Sequence, residues 1–319
     1  HFFVVRSGEF AVLLKQKGDE PVLRYAGSGS FGELALLYHD RHELYMLLEL
    51  MLGGELFSVL RERVKFDEKQ VEEGRNFANK LWNACRYRQM QGEVEGEPAQ
   101  PNIFAIDILG KLASLEEGLK QALESYAFND AAQQLYQFFW SEFCDWYLEA
   151  VKGDFREEAD PGRKASTLKV MDLVFDRYLQ LMHPYMPHLT EELWEKLGFG
   201  GENVLLMKQP LPGGAPLESF GISEEERLEA GRRAGEVYES VSRIRNLKAE
   251  YNLAANRNVS LIVKAGSGWA EEEAATVALL CGARGVEFSA GYEAPKGTPV
   301  AVTVIGEVYL PLEGLIDLN

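Results

Sequence analysis

The chain has 319 residues, 46% hydrophobic and 26% charged, with a formal net charge of −17. That composition excludes disordered and collagen-like classes and leaves room for two or three folded domains. The longest apolar stretch, Leu44 to Leu52, is broken by Glu49 and followed by Gly53-Gly54-Glu55, short of the roughly 20 apolar residues a membrane span needs, so no membrane partner is expected.

Cys85, Cys144 and Cys281 lie far apart, with no CxxC pair and no histidine at ligand spacing. The expectation is no disulfide scaffold, no metal site and a reducing, cytoplasmic setting. The chain begins at His1 without a signal or transit segment and reads as a piece of a longer protein. Residues 1–66 hold 8 basic and 9 acidic side chains, so the negative charge is almost wholly C-terminal. A field of that sign repels phosphate backbones, and a nucleic-acid partner then requires a local, shaped basic site.

In chain order, Phe2 to Arg6, Phe10 to Leu14 and Val22 to Tyr25 read as short strands separated by the turns Ser7-Gly8-Glu9 and Lys17-Gly18-Asp19, an incomplete β-barrel fragment. A glycine-rich turn, Gly27-Ser28-Gly29-Ser30-Phe31-Gly32-Glu33, then enters a helical pattern, offering free N–H groups to a phosphate and a carboxylate to a ribose. FFVVRSGEFAVLL with FGELALLY resembles the cyclic-nucleotide-binding domain of cGMP-dependent protein kinases. The resemblance implies Glu33 on the ribose 2′-OH and the amides of Gly32, Leu34 and Ala35 on the cyclic phosphate. The phosphate-neutralising arginine of that family has no counterpart in context, because the chain passes from His39-Asp40 into other material, and no tight ligand is expected.

Residues 44–60 resemble the hinge and following helix of a kinase of the same type, which implies Glu49 and Met51 at adenine and Glu55 at the ATP ribose. No glycine-rich phosphate loop, HRD-type loop or DFG is present, so phosphoryl transfer is excluded for this chain. The plain alternative for 44–60 is a packed helix or buried strand.

Near residue 66 the character changes to long helical periods, and all five tryptophans lie beyond it. Residues 67–90 place Val71, Phe77 or Ala78, Leu81, Ala84 or Cys85, and Tyr87 on one helical face. A loop at 91–102 leads to a helix over Leu109 to Tyr126, then an aromatic, central helix over Asp130 to Val151. A charged linker (153–166) precedes a helix over Leu168 to Leu181. Pro187 opens another, running to Leu197, as proline's tolerance in a first turn allows. These elements make an antiparallel helical bundle.

EEGRNFANKLWNACR (72–86), YAFNDAAQQLYQFFWSEFCDWYLE (126–149) and LMHPYMPHLTEELW (181–194) resemble valyl-tRNA synthetase, and the resemblance continues through IRNLKAEYNL (244–253) to LPLEGLID (310–317). It implies the helical anticodon-binding domain of a class I synthetase followed by a small domain, whose parent reaction is ATP-dependent ligation of valine to its tRNA. A tryptophan-containing segment usual in that family is missing at Asp107 to Leu112, which puts helix packing there in doubt. HIGH and KMSKS are absent, so no cofactor is expected in this chain, ATP belongs to the parent's catalytic core, and the chain alone is expected to be inactive.

Ser223-Glu224-Glu225-Glu226 has capping-box spacing for a helix to about Tyr251, with Val237, Val241, Ile244, Leu247 and Tyr251 as its buried stripe and Arg243, Arg245 and Lys248 outside it. Residues 258–313 read strand, helix, strand and a strand pair about Gly306, a small α+β unit.

The fold class is therefore mainly α, with domains at 1–40, 41–66, 67–220 and 221–319. The function expected is the tRNA-binding portion of a valyl-tRNA synthetase, with valine tRNA as a weakly bound partner. The alternatives are a fragment of a cyclic-nucleotide-regulated kinase and an inactive mis-joined gene product. The candidate tRNA-binding residues are Arg75, Asn76, Asn79, Lys80, Asn83 and Arg86, with Arg243, Arg245 and Lys248 further on. Asn and Arg side chains along one helix supply base-edge hydrogen bonds and guanidinium stacking, and the alternative role is capping and bridging neighbouring helices. His183 and His188 are read as structural.

Overall fold

In a computed structural model the described residues are the backbones of 2–6, 9–13, 23–26, 68–71 and 271–272, and residues 72–312 apart from those two, 94–95, 202–203, 214–215, 254–258 and 265–270. They fall into two compact units, one holding the described part of 1–71 with 182–209, the other 72–181 with the described part of 210–319.

In the first unit, β1 (Phe2–Arg6), β2 (Glu9–Leu13) and β3 (Leu23–Ala26) form an antiparallel meander with Phe2 opposite Leu13 and Phe10 opposite Tyr25. Three strands form where three were expected, within one residue at each end.

The second unit is mostly helical. α1 (Glu68–Met90) buries Phe77, Leu81, Ala84 and Cys85 and stops at Gly92 in the left-handed region (φ 68°). α2 (Ile103–Glu124) starts six residues earlier than its periodicity suggested, because the Asn102 side chain accepts from the Ala105 amide at 2.9 Å and caps it. The doubt about packing at Asp107 to Leu112 is removed: Asp107, Ile108, Leu109, Gly110 and Leu112 are all buried.

α3 (Phe128–Gln137) continues unbroken into a π-helical stretch, Phe138–Tyr147, and a last α turn, Leu148–Ala150. The Leu148 amide bonds to Phe143, five residues back. Phe139, Phe143 and Tyr147 are fully buried here, and the element is central as its aromatic content demands.

α4 (Pro161–Met182) overturns the expected linker up to residue 166. Pro161 is its first residue and the Asp160 carboxylate accepts from the Arg163 amide at 2.8 Å, so the proline and glycine mark a helix start and not a gap. Its inner face stacks Tyr178 on Phe139 (4.7 Å between centroids) and sets Phe175 edge-on to Phe143 at 5.0 Å. Two ion pairs that sequence reasoning missed hold α4 in place. Arg88 of α1 grips Asp172 through two bonds of 2.6 and 2.7 Å, and Arg177 grips Glu116 of α2 at 2.9 Å. In the first unit α5 (Pro187–Lys196) opens on Pro187, as expected.

α6 (Glu224–Glu250) begins with the expected capping box, Ser223 and Glu226 bonding each other's backbones. It packs along α2, where Tyr238 meets Phe104 at 5.6 Å. Val237, Val241 and Ile244 are buried, but Tyr251, expected in the stripe, is 38% exposed.

A four-stranded sheet of order β5-β4-β7-β6 follows α6. β4 (Ser260–Lys264) and β5 (Gly285–Phe288) are parallel, with α7 (Glu271–Cys281) as the crossover, while β6 (Val300–Thr303) and β7 (Gly306–Tyr309) form a hairpin about Val304-Ile305. Val263 and Val308 pair at zero exposure, the core of the α+β unit that the sequence pattern implied.

Candidate nucleic-acid interface

The outer face of α1 carries Arg75, Asn76, Asn79, Asn83 and Arg86. At 3.6 residues per turn these positions fall within one third of the circumference and extend about 16 Å along the axis. Arg75, Asn76, Asn83 and Arg86 are exposed and Asn79 is half-buried. Among the described residues the side chains of Asn76, Asn79, Asn83 and Arg86 have no hydrogen-bond or ion-pair partner. Arg75 has one, the exposed Glu72 at 3.4 Å. Folding has not spent these donors, because the opposite face of the helix supplies all its burial.

Lys80 sits apart from that face. Its ammonium lies 2.6 Å from Asp145 and 3.8 Å above the Trp140 ring, and Trp140 stacks on Tyr136, which in turn stacks on Phe77. Lys80 thus bridges α1 to the π-helical stretch.

The three cations of α6 are not displayed to solvent as a set. Arg243 donates to the carbonyl of Val302 (2.9 Å) and pairs with Glu239 (2.7 Å). Arg245 donates twice to the carbonyl of Leu280, at 2.9 and 2.7 Å, and its guanidinium lies 5.3 Å from the Trp146 ring. Lys248, expected outside the buried stripe, is 1% exposed and donates to the carbonyls of Cys281 (2.8 Å) and Gly282 (3.1 Å). These carbonyls are the unpaired acceptors at the negative end of α7, where a cation is favoured. Arg233 adds an ion pair to the buried Glu273 of the same helix. The signal for Lys248 was present: it lies seven residues after Val241 and four after Ile244, in the middle of the apolar stripe.

Gly32, Glu33, Leu34, Ala35, Glu49, Met51 and Glu55 lie outside the described residues. His183 Nδ1 and Thr190 Oγ1 share a hydrogen bond of 2.8 Å, and the Thr190 hydroxyl also lies 2.9 Å from the Met186 carbonyl oxygen. Burial lowers the pKa of both His183 and His188, and His183 contacts Thr190 across the turn that leads into α5.

A cleft of about 300 Å³ between the bundle and α7 is lined by Asp154, Arg156, Asp160, Arg163 and Thr276. Asp154 is already held by Thr167 (2.8 Å) and Arg163 (3.2 Å). Among the described residues no group of His, Cys, Asp or Glu could hold a metal ion, and no helix is long and apolar enough to cross a membrane.

Residues 106–263 match the model of the anticodon-binding domain of tRNA ligase. The chain is 32% identical to the valine–tRNA ligase of Thermosynechococcus vestitus over 86% of its own length and 30% of that protein. It is 36% identical to the enzyme of the same name from Thermotoga maritima over 80% of this chain and 28% of that one. The Geobacter sulfurreducens valine–tRNA ligase is 33% identical over 82% of this chain and 30% of its own. The chain thus spans under a third of the length of the curated relatives it matches. α1 precedes the matched domain, and α2 through β4 fill it. The chain carries the anticodon-binding domain of a tRNA ligase and corresponds in sequence to that portion of the valine–tRNA ligases.

Proposed function

We propose that this chain binds valine tRNA on its anticodon side, with the outer face of α1 as the reading surface. The observation that carries this is the row of polar side chains on the outer face of α1, Asn76, Asn79, Asn83 and Arg86 without a partner among the described residues and Arg75 paired only with the exposed Glu72, beside a domain of the anticodon-binding type. Unpaired anticodon bases present edges and faces that amide and guanidinium groups match. Lys80, Arg243, Arg245 and Lys248 hold the fold and are left out of this surface. With a net charge of −17 the phosphate contacts are few, and binding is weak and only moderately salt-dependent.

The parent reaction is ATP-dependent ligation of valine to tRNA. Without HIGH or KMSKS this chain forms no valyl-adenylate, and residues 1–66 bind neither cGMP nor ATP usefully. Filter binding tests the reading by comparing valine tRNA with an anticodon-swapped tRNA, for the parent chain and for Arg75→Ala with Arg86→Ala. Selective binding that the double variant loses supports it. Equal binding of both tRNAs, or no loss in the variant, overturns it.

A further inference from the structure

Several helices here end on a left-handed residue. α1, α5 and α7 end on Gly92, Gly198 and Gly282 (φ 68°, 78° and 57°), and α6 on Asn252 (φ 58°). These are the residue types that tolerate that conformation. α2 departs from the series, because its left-handed residue is Tyr126, also at φ 58°.

The closing bonds are the same in kind. At α7 the Ala283 amide bonds to Ala278 (2.8 Å) and Gly282 to Leu279 (3.1 Å), and at α2 Ala127 bonds to Ala122 (2.8 Å) and Tyr126 to Leu123 (3.1 Å). A glycine would make the same turn without crowding at Cβ. The tyrosine does not repay that strain by burial, since its ring is 79% exposed. Its aromatic neighbour is Phe128, edge-on at 6.2 Å and itself 49% exposed.

The place of the pair matters. α1 and α3 run in the same direction, since Phe77 meets Tyr136 while Lys80, further along, meets Trp140 and Asp145. Tyr126 and Phe128, at the start of α3, therefore lie toward the end of the bundle where Arg75 and Asn76 begin the polar face. Exposed Glu124 and Asp130 flank the pair and repel phosphate, but a neutral flat ring is unaffected by them.

We infer that Tyr126, with Phe128, is a stacking platform for an unpaired nucleobase of the bound tRNA, an inference that rests on the tRNA-binding reading above. The ring face supplies the contact, and no phosphate is neutralised, so this contribution is insensitive to salt.

The experiment uses the full chain and measures valine-tRNA binding across a salt series, with thermal unfolding, for the parent, Tyr126→Gly, Tyr126→Phe and the Arg75→Ala, Arg86→Ala double variant. Tyr126→Gly is expected to melt at or above the parent temperature and to bind about tenfold more weakly, with the salt slope unchanged. Tyr126→Phe, which keeps the ring, is expected to restore the affinity. If Tyr126→Gly binds as the parent does while the arginine variant is weakened, the platform is wrong and the α1 reading stands. A glycine variant that melts lower makes the tyrosine structural and overturns the platform. If the parent binds no tRNA, both readings fall together.

Discussion

Lys248 Nζ lies 2.8 Å from the carbonyl oxygen of Cys281, the last residue of α7, although the lysine is 1% exposed. A buried ammonium is tolerated only where acceptors replace its lost hydration. The end of α7 supplies them, so Lys248 fastens α6 to the C-terminal α+β unit.

Lys248→Ala is expected to lose about 2–3 kcal/mol by leaving two helix-terminal carbonyls unpaired beside a cavity. Lys248→Met fills the space and is expected to lose less. Urea unfolding of the two variants checks the order, and equal stability of Lys248→Ala and the parent would show that the clamp contributes nothing.

Lys80→Ala is expected to destabilise by about 1–2 kcal/mol through loss of the contact with the Trp140 ring and of the Asp145 pair. Affinity for valine tRNA is expected to stay within twofold. Denaturation and filter binding on one preparation separate Lys80 from Arg75 and Arg86, and a loss of affinity without a loss of stability would return Lys80 to the reading face.

The Tyr147 hydroxyl is fully buried and has no hydrogen-bond partner among the described residues. Removing an unsatisfied buried hydroxyl relieves its desolvation penalty. Tyr147→Phe is therefore expected to be about 1 kcal/mol more stable, seen as a higher urea midpoint at unchanged slope. A lower midpoint would mean that the hydroxyl is satisfied in solution.

The three thiols are buried and free, and burial pushes Cys144 and Cys281 up to about 12 and Cys85 well above its ordinary value. The thiolate is the reactive form. At pH 8 the native chain is expected to show negligible reaction with a thiol reagent over minutes, and three equivalents after denaturation. Rapid labelling of one native cysteine would contradict the packing around it.

For His183 and His188, burial favours the neutral ring and lowers the folded pKa below the ordinary value of about 6.5. The unfolded chain then binds more protons just below that pH, so stability is fully present above about 6.5 and declines as pH falls toward the lowered folded values. Urea midpoints at pH 7.5, 6.5 and 5.5 are expected to show this decline, and His183→Gln with His188→Gln to flatten it. An unchanged slope in the double variant would assign the decline to other groups.

The parts of the fold legible in the sequence were those with one dominant signal. Alternation and turns gave all seven described strands, and the spacing from Ser223 to Glu226 gave the start of α6. Boundaries failed where a polar residue had two meanings. Asn102 and Asp160 look like loop residues until their side chains are seen capping α2 and α4, and Pro161-Gly162 resembles a linker while opening a helix. Charge misled in the same way at Lys248, because residue type was allowed to override position on the helix. Within the candidate site, periodicity could place Arg75, Asn79 and Arg86 together on one face of α1. It could not show that Lys80 is held by Trp140 and Asp145, a contact made across 60 residues or more of sequence.

The stretch from Phe138 to Tyr147 winds with its hydrogen bonds one residue longer than those of an α-helix, so it holds more chain than its turns require. That surplus gives the gene tolerance to a change of length. A one-residue deletion within the stretch can be absorbed by tightening to α winding, leaving Leu135 before it and Leu148 after it in their buried seats. The same deletion in the middle of α2 or α4 would turn every following residue by about 100° and carry half of each apolar stripe into water. Length variation among chains of this type is therefore expected to concentrate in the aromatic centre of the bundle, where packing alone would suggest the least freedom.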